Sequence, residues 1–173
     1  MNIKQRNLLL IVAFFFSLFA LSACGIYSFR DVSIDYSKIK TVKITYIDNK
    51  SPGYKNPQLS QLLTDKIQQK IVSQTKLTRT NNDNADMEIG GYISDYSVTT
   101  SAISSTQAAT NRLTVGVHLI VKNKLENLPK EIDVSRSFDF SANLSLQQAE
   151  AQLLTQIISN LTDDIFNRIF SNW

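Results

Sequence analysis

Five apolar side chains, Leu113, Val115, Val117, Leu119 and Val121, occupy alternate positions. A period of two places them on one face of a strand over 111–122, with Thr114, His118 and Lys122 on the other. Val42, Ile44 and Tyr46 alternate in the same way with Thr41, Lys43 and Thr45 and predict a strand over about 39–47. Met87, Ile89, Gly91 and Ile93 share one face of a further strand, with Tyr92, Tyr96 and Val98 on the other and a bend expected at Gly90 and Gly91. Ile132, Val134, Phe138 and Phe140 outline a fourth, in which Arg136 falls in phase with the apolar positions. A lone charge there suits a sheet edge, or a stem that reaches water.

Two segments show the helical period instead. Leu59, Leu62, Leu63, Ile67 and Ile71 recur at three- and four-residue steps and predict a helix over 57–75, opened by Asn56 as N-cap and Pro57 at the first helical position. Ser145 and Gln148 have the spacing of a capping box. Behind them Leu146, Ala149, Leu153, Ile157, Leu161, Ile165 and Ile169 step down one face. The element order is β-α-β-β-β-α. A helix between the first two strands favours a parallel connection, and the later strands suit an antiparallel meander. The expected fold is therefore α+β, a four-stranded mixed sheet with two helices packed on one face.

The strongest apolar run lies ahead of all these elements. Leu8 to Leu21 is broken only by Ser17 and follows a lead containing Lys4 and Arg6. This matches the charged region and core of a secretory signal, and is short for a spanning helix. The run ends in Leu21, Ser22, Ala23 and Cys24, a pattern similar to the lipobox of bacterial lipoprotein precursors. Residues 1–23 are accordingly expected to be a signal peptide, 24–38 a lipidated lead and 39–173 a single domain. Cys24 is the only cysteine. It is the expected attachment point of a covalent lipid, and no internal disulfide is available.

Processing changes the charge as well. The chain has 18 Lys and Arg against 15 Asp and Glu, and loss of Lys4 and Arg6 leaves 16 against 15. A near-neutral body does not suit nucleic-acid binding, which depends on many phosphate-neutralising side chains. Catalytic signatures are not found: His118 is the single histidine, no Gly-x-Ser-x-Gly accompanies it, and one His with one Cys cannot build a zinc site. His118 is read as a structural or surface residue, and neither a catalytic residue, a metal nor a cofactor beyond the lipid is expected. The uncharged segment 99–110 is expected to be a loop, with Ser101, Ser104 and Gln107 as partner-contact candidates. Basic residues near the first and third strands, including Lys43 and Arg112, either meet lipid phosphates or solvate a sheet face.

Several stretches are similar to the LptE family of lipopolysaccharide-assembly lipoproteins, in its divergent branch: Cys24 to Phe29, Ile44 to Asn49, Asn56 to Gln61, Tyr96 to Val98, Asn111 to Val115, and Asp164 to Trp173. The resemblance implies a non-enzymatic, lipid-anchored outer-membrane protein. Such a protein sits inside a β-barrel of the LptD type and helps deliver lipopolysaccharide to the cell surface. No local motif transfers particular basic residues, so Lys43 and Arg112 stand only as lipopolysaccharide-contact candidates. Two other functions compete: a periplasm-facing lipoprotein that regulates cell-wall synthesis, and a lipid- or glycan-binding carrier.

Overall fold

A computed structural model describes residues 34–100 and 110–171; Cys24, Ser101, Ser104 and Gln107 lie outside the described residues. The class is α+β. In chain order the elements are β1 (Thr41–Ile44), β2 (Asp48–Asn49), α1 (Leu59–Gln74), β3 (Thr78–Arg79), β4 (Met87–Thr100), β5 (Thr110–Asn123), β6 (Lys130–Ser141) and α2 (Leu146–Phe170). The sheet runs β3-β1-β4-β5-β6, with β2 also beside β4. β1 is parallel to β4, as the intervening helix requires, while β4, β5 and β6 form an antiparallel meander.

Six strands replace the four expected. The first expected strand stops at Ile44: Ile47, not the expected Tyr46, is the buried position, and its N–H donates to Thr64 Oγ1 on α1, 3.1 Å away, rather than to the sheet. The chain rejoins the ladder only at β2. Both β2 and β3 are two residues long, too short to show an alternation in sequence.

The odd-numbered residues of β5 face the helices and, with Ile89 and Ile93 from β4 and Ile132, Val134, Phe138 and Phe140 from β6, form one side of the core. Leu59, Leu63, Ile67 and Ile71 of α1 and Ile157, Leu161, Ile165 and Phe170 of α2 form the other. Burying each such side chain contributes roughly 1.5–3 kcal/mol. Ahead of β1, Ile34 and Tyr36 also pack against this core. Leu62 does not: it is 41% exposed, because the covered face of α1 is the narrower stripe through residues 59, 63, 67 and 71.

Both helix starts are capped. Asn56 Oδ1 accepts from the N–H groups of Gln58 (2.9 Å) and Leu59 (3.1 Å). At α2 the full capping box forms, with Ser145 Oγ accepting from Gln148 N and Gln148 Oε1 accepting from Ser145 N.

Two expectations about β4 are corrected together. The strand passes through Gly90 and Gly91 with its pairing intact, and the register shifts instead between Ile93 and Asp95. Ile93 pairs with Val117 and Asp95 with Gly116, so Ser94 is an extra residue, a β-bulge. The bulge reverses the alternation. Tyr96 therefore joins the core face opposite Val115 instead of sharing the outer face with Tyr92, and Val98 follows it in phase but stays 41% exposed near the strand end. Gly91 has a different role: a Cβ there would lie 2.1 Å from the His118 carbonyl oxygen. Only glycine fits that approach of β4 to β5.

Candidate functional site

The outer sheet face, away from the helices, carries the even-numbered side chains of β5, and Arg112, Thr114, His118 and Lys122 each meet a neighbour across the ladder. Arg112 grips Asp139 of β6 with two bonds, 2.6 and 2.9 Å. Thr114 and Ser137 hydroxyls are 3.0 Å apart. His118 Nδ1 lies 2.8 Å from Asp133 and its other ring nitrogen 3.9 Å from Glu131, while the ring sits 5.2 Å from that of Tyr92. Lys122 reaches back to Glu88 on β4 at 3.1 Å. On β1, Lys43 pairs with Asp83 at 2.6 Å.

Hydrogen bonding to Asp139 raises the Arg112 pKa and lowers that of Asp139; the Lys43–Asp83 bond acts the same way on its partners. Such exposed pairs add little to stability in water. They neutralise the sheet face locally.

Lys43 and Arg112 are both on this face but are not brought together. Lys43 is in register with Glu88, and Glu88 with Lys122, ten residues along β5 from Arg112. At the rise of a strand that separates them by roughly 30 Å. They occupy opposite ends of the sheet and cannot hold one phosphate group between them.

The end bearing Lys43 is also where the chain enters. Ile34 shares a groove of about 290 Å³ with Met87, Val121, Leu125, Lys130 and Ile169. Next in sequence to Met87 of that groove is Asp86, which accepts from Lys40 N at 2.8 Å and Thr41 N at 2.9 Å and is contacted by Lys124 Nζ. The Lys124 bond, followed by those two amides, holds the Asp86 carboxyl well below the usual carboxylate range. One side chain thereby joins the start of β1 to the turn after β5.

At the far end the strands lead into segment 101–109. Thr99, Thr100 and Thr110, expected in a loop, belong to the strands: Thr99 pairs with Arg112 and Thr110 with Ser141. Beneath them lies a polar cluster inside the core. Glu150, 5% exposed, accepts from the hydroxyl of Tyr96 and, at 3.1 Å, from that of Tyr54. Burial, and then the bond to Glu150, pushes both hydroxyls above the ordinary tyrosine pKa, so they remain donors. The cluster ties the segment before α1, the bulged part of β4 and the first turns of α2. Its sequence signal is Glu150 itself, four residues after Leu146 and three before Leu153, a charge set in an apolar stripe.

Arg136 carries the same kind of signal. It lies on the edge strand β6, as its phase suggested, and pairs with Asp164 of α2 through two bonds, one of them 2.7 Å. The pair forms one wall of a groove of about 550 Å³ that also includes Asp133, Ser135, Asn167 and Arg168. Among the described residues no three His, Cys, Asp or Glu side chains gather as a metal site. No helix described is long and apolar enough to cross a membrane.

No curated protein matches the chain. Among solved structures, the rare lipoprotein B from Shewanella oneidensis is 18% identical, with a TM-score of 0.42 over 73% of this chain and 92% of that one. A minor lipoprotein from Acinetobacter baumannii is 12% identical, with a TM-score of 0.42 over 76% and 96%. The PelC dodecamer from Paraburkholderia phytofirmans is 10% identical, with a TM-score of 0.48 over 78% and 91%. The profile of the LptE family, described as lipopolysaccharide-assembly, matches residues 39–169 and so takes in every strand and all but the last residue of α2. The chain belongs to the LptE family.

Proposed function

We propose that this protein is a lipoprotein of the outer membrane, anchored through a lipid on Cys24, that plugs an LptD-type β-barrel and assists its assembly for lipopolysaccharide delivery. The family match over 39–169 carries the reading. The physical character of the domain supports it. The outer sheet face pairs its charges across the strands, so it can enter a water-filled lumen without leaving many buried charges unpaired. The space between sheet and helices is filled by side chains such as Leu63, Leu113, Leu119, Leu161 and Ile165, each at 0% exposure. A packed interior of that kind suits a rigid plug better than a carrier of acyl chains.

Gentle detergent extraction of outer membranes, followed by affinity purification, should recover a large β-barrel protein at near-equal amounts. Recovery of the lipoprotein alone would contradict the reading. Depletion then separates it from a wall-synthesis regulator: loss of surface lipopolysaccharide is expected first, whereas an early change in peptidoglycan would favour the regulator.

A further inference from the structure

The turn between β5 and β6 carries two leucines where a solvent turn has no need of them. Leu128 is 79% exposed and Leu125 48%. The turn is nonetheless built: Lys124 N donates to Asp86 O at 3.0 Å, Leu125 N to Asn123 Oδ1 at 3.0 Å and Glu126 N to Asn123 O at 2.9 Å. The leucines are thus held outward by an ordered backbone. Lys122 and Lys124, paired with Glu88 and Asp86, flank them together with Lys130, which is in no ion pair among the described residues.

Charge is distributed along the sheet in the same sense. The segments that meet at this end, 34–43, 76–88, 122–131 and 168–171, hold nine basic and six acidic residues, a surplus of three. The other described residues hold six basic and eight acidic, a deficit of two. A body that is almost neutral overall is therefore polarised, and its positive end carries the apolar tip. Glu126 and Glu131 are the acids beside the tip, and Lys130 and Arg168 are in no ion pair among the described residues.

The same end receives the chain from its amino-terminal side. Nine residues, 25–33, separate Cys24 from Ile34, and the ten steps between them reach at most about 35 Å. A lipid on Cys24 would hold the groove containing Ile34 and Leu125 within that distance of the bilayer.

We propose that the Leu125–Leu128 turn and the lysines around it form a second membrane contact, inserting shallowly into an anionic phospholipid surface beside the tether. Apolar side chains flanked by basic residues match such an interface: the leucines leave water, and each cation outside an ion pair, as Lys130 and Arg168 are among the described residues, favours contact with an anionic surface by about fivefold. The contact would fix the long axis of the sheet relative to the membrane, which a tether of nine residues cannot do alone. The proposal rests on the lipid anchor at Cys24, so its test separates the two.

The test uses the processed full-length lipoprotein in vesicles of phosphatidylethanolamine and phosphatidylglycerol containing nitroxide-labelled lipid. A thiol-reactive fluorophore is placed on Asn127→Cys in the turn or on Asn143→Cys at the far end. Wild type takes up label only if Cys24 is free, and so reports the anchor independently. Quenching at position 127 should exceed that at 143 by roughly threefold or more, and fall to the level at 143 when Leu125→Asp and Leu128→Asp are added. Replacing phosphatidylglycerol with phosphatidylcholine should also reduce it. Equal quenching at 127 and 143 overturns the contact, whether Cys24 is blocked or free. Strong quenching at 127 in a chain whose Cys24 takes up label would support the contact and remove the anchor.

Discussion

The two ends of the long β4–β5 ladder use polar groups in opposite ways. At the far end Glu150, Tyr54 and Tyr96 bring their polar atoms into the core and fasten three separate segments. At the tether end Lys43 and Asp83 pair near water, where the bond is cheap to open, while Asp86, 15% exposed, is held by Lys124 and two backbone amides. A buried cluster resists change because a broken bond leaves an unsatisfied group out of solvent. Exposed pairs can exchange partners. The far end is built to hold its shape, and the other end carries exposed pairs that can open, as the proposed membrane contact requires.

The largest expected effect strikes both ends together. Gly91 lies inside the ladder, four residues from its Met87 end, and Gly91→Ala forces a Cβ against the β5 backbone. A loss of about 3 kcal/mol in chemical denaturation is expected, with one transition for the whole domain. Separate transitions would show that the ends fold independently.

Tyr96→Phe tests the far end alone. Removing one of the two donors to a buried carboxyl should cost about 1–3 kcal/mol in thermal unfolding. Tyr54→Phe should cost less, because Tyr54 is 43% exposed and water can replace its hydroxyl. Equal costs would place Glu150 nearer solvent than the structure has it.

Asp86→Asn tests the tether end through pH. The folded pKa of Asp86 lies below its unfolded value, so its contribution is fully present above the ordinary carboxylate pKa of about 3.9 and disappears as pH falls through the folded value. The Tm difference between wild type and Asp86→Asn should therefore be constant near neutrality and shrink below about pH 5. A difference that stays constant into acid would assign Asp86 no role as a charged clamp.

The smallest effects belong to Lys43→Ala and Arg112→Ala, each of which opens one exposed pair. Because the two sites are roughly 30 Å apart, their effects on co-purifying lipopolysaccharide should add. A double variant that loses far more than the sum would show one ligand bridging both.

The features legible in the sequence were those that repeat. The alternation in β5 and β6 and the stripes of α1 and α2 each extend over several residues, so packing had to respect them. Single events were not legible. Ser94 is one polar residue among several, yet as the bulge it moves Tyr96 into the core. Two-residue strands carry no period, and Leu62 shares the spacing of its buried neighbours but lies past the edge of the covered face. Charges placed in apolar stripes mark Arg136 and Glu150 equally. Only the fold shows that one meets Asp164 at an edge and the other meets two hydroxyls in the core.

Site-specific photocrosslinking in intact cells tests the division of labour between the ends most directly. With the crosslinker at Ser101, Ser104 or Gln107, at least one position should trap the barrel protein, while Asn127 at the tether end should not. Silence at all three far-end positions together with capture of the barrel from Asn127 would contradict the account.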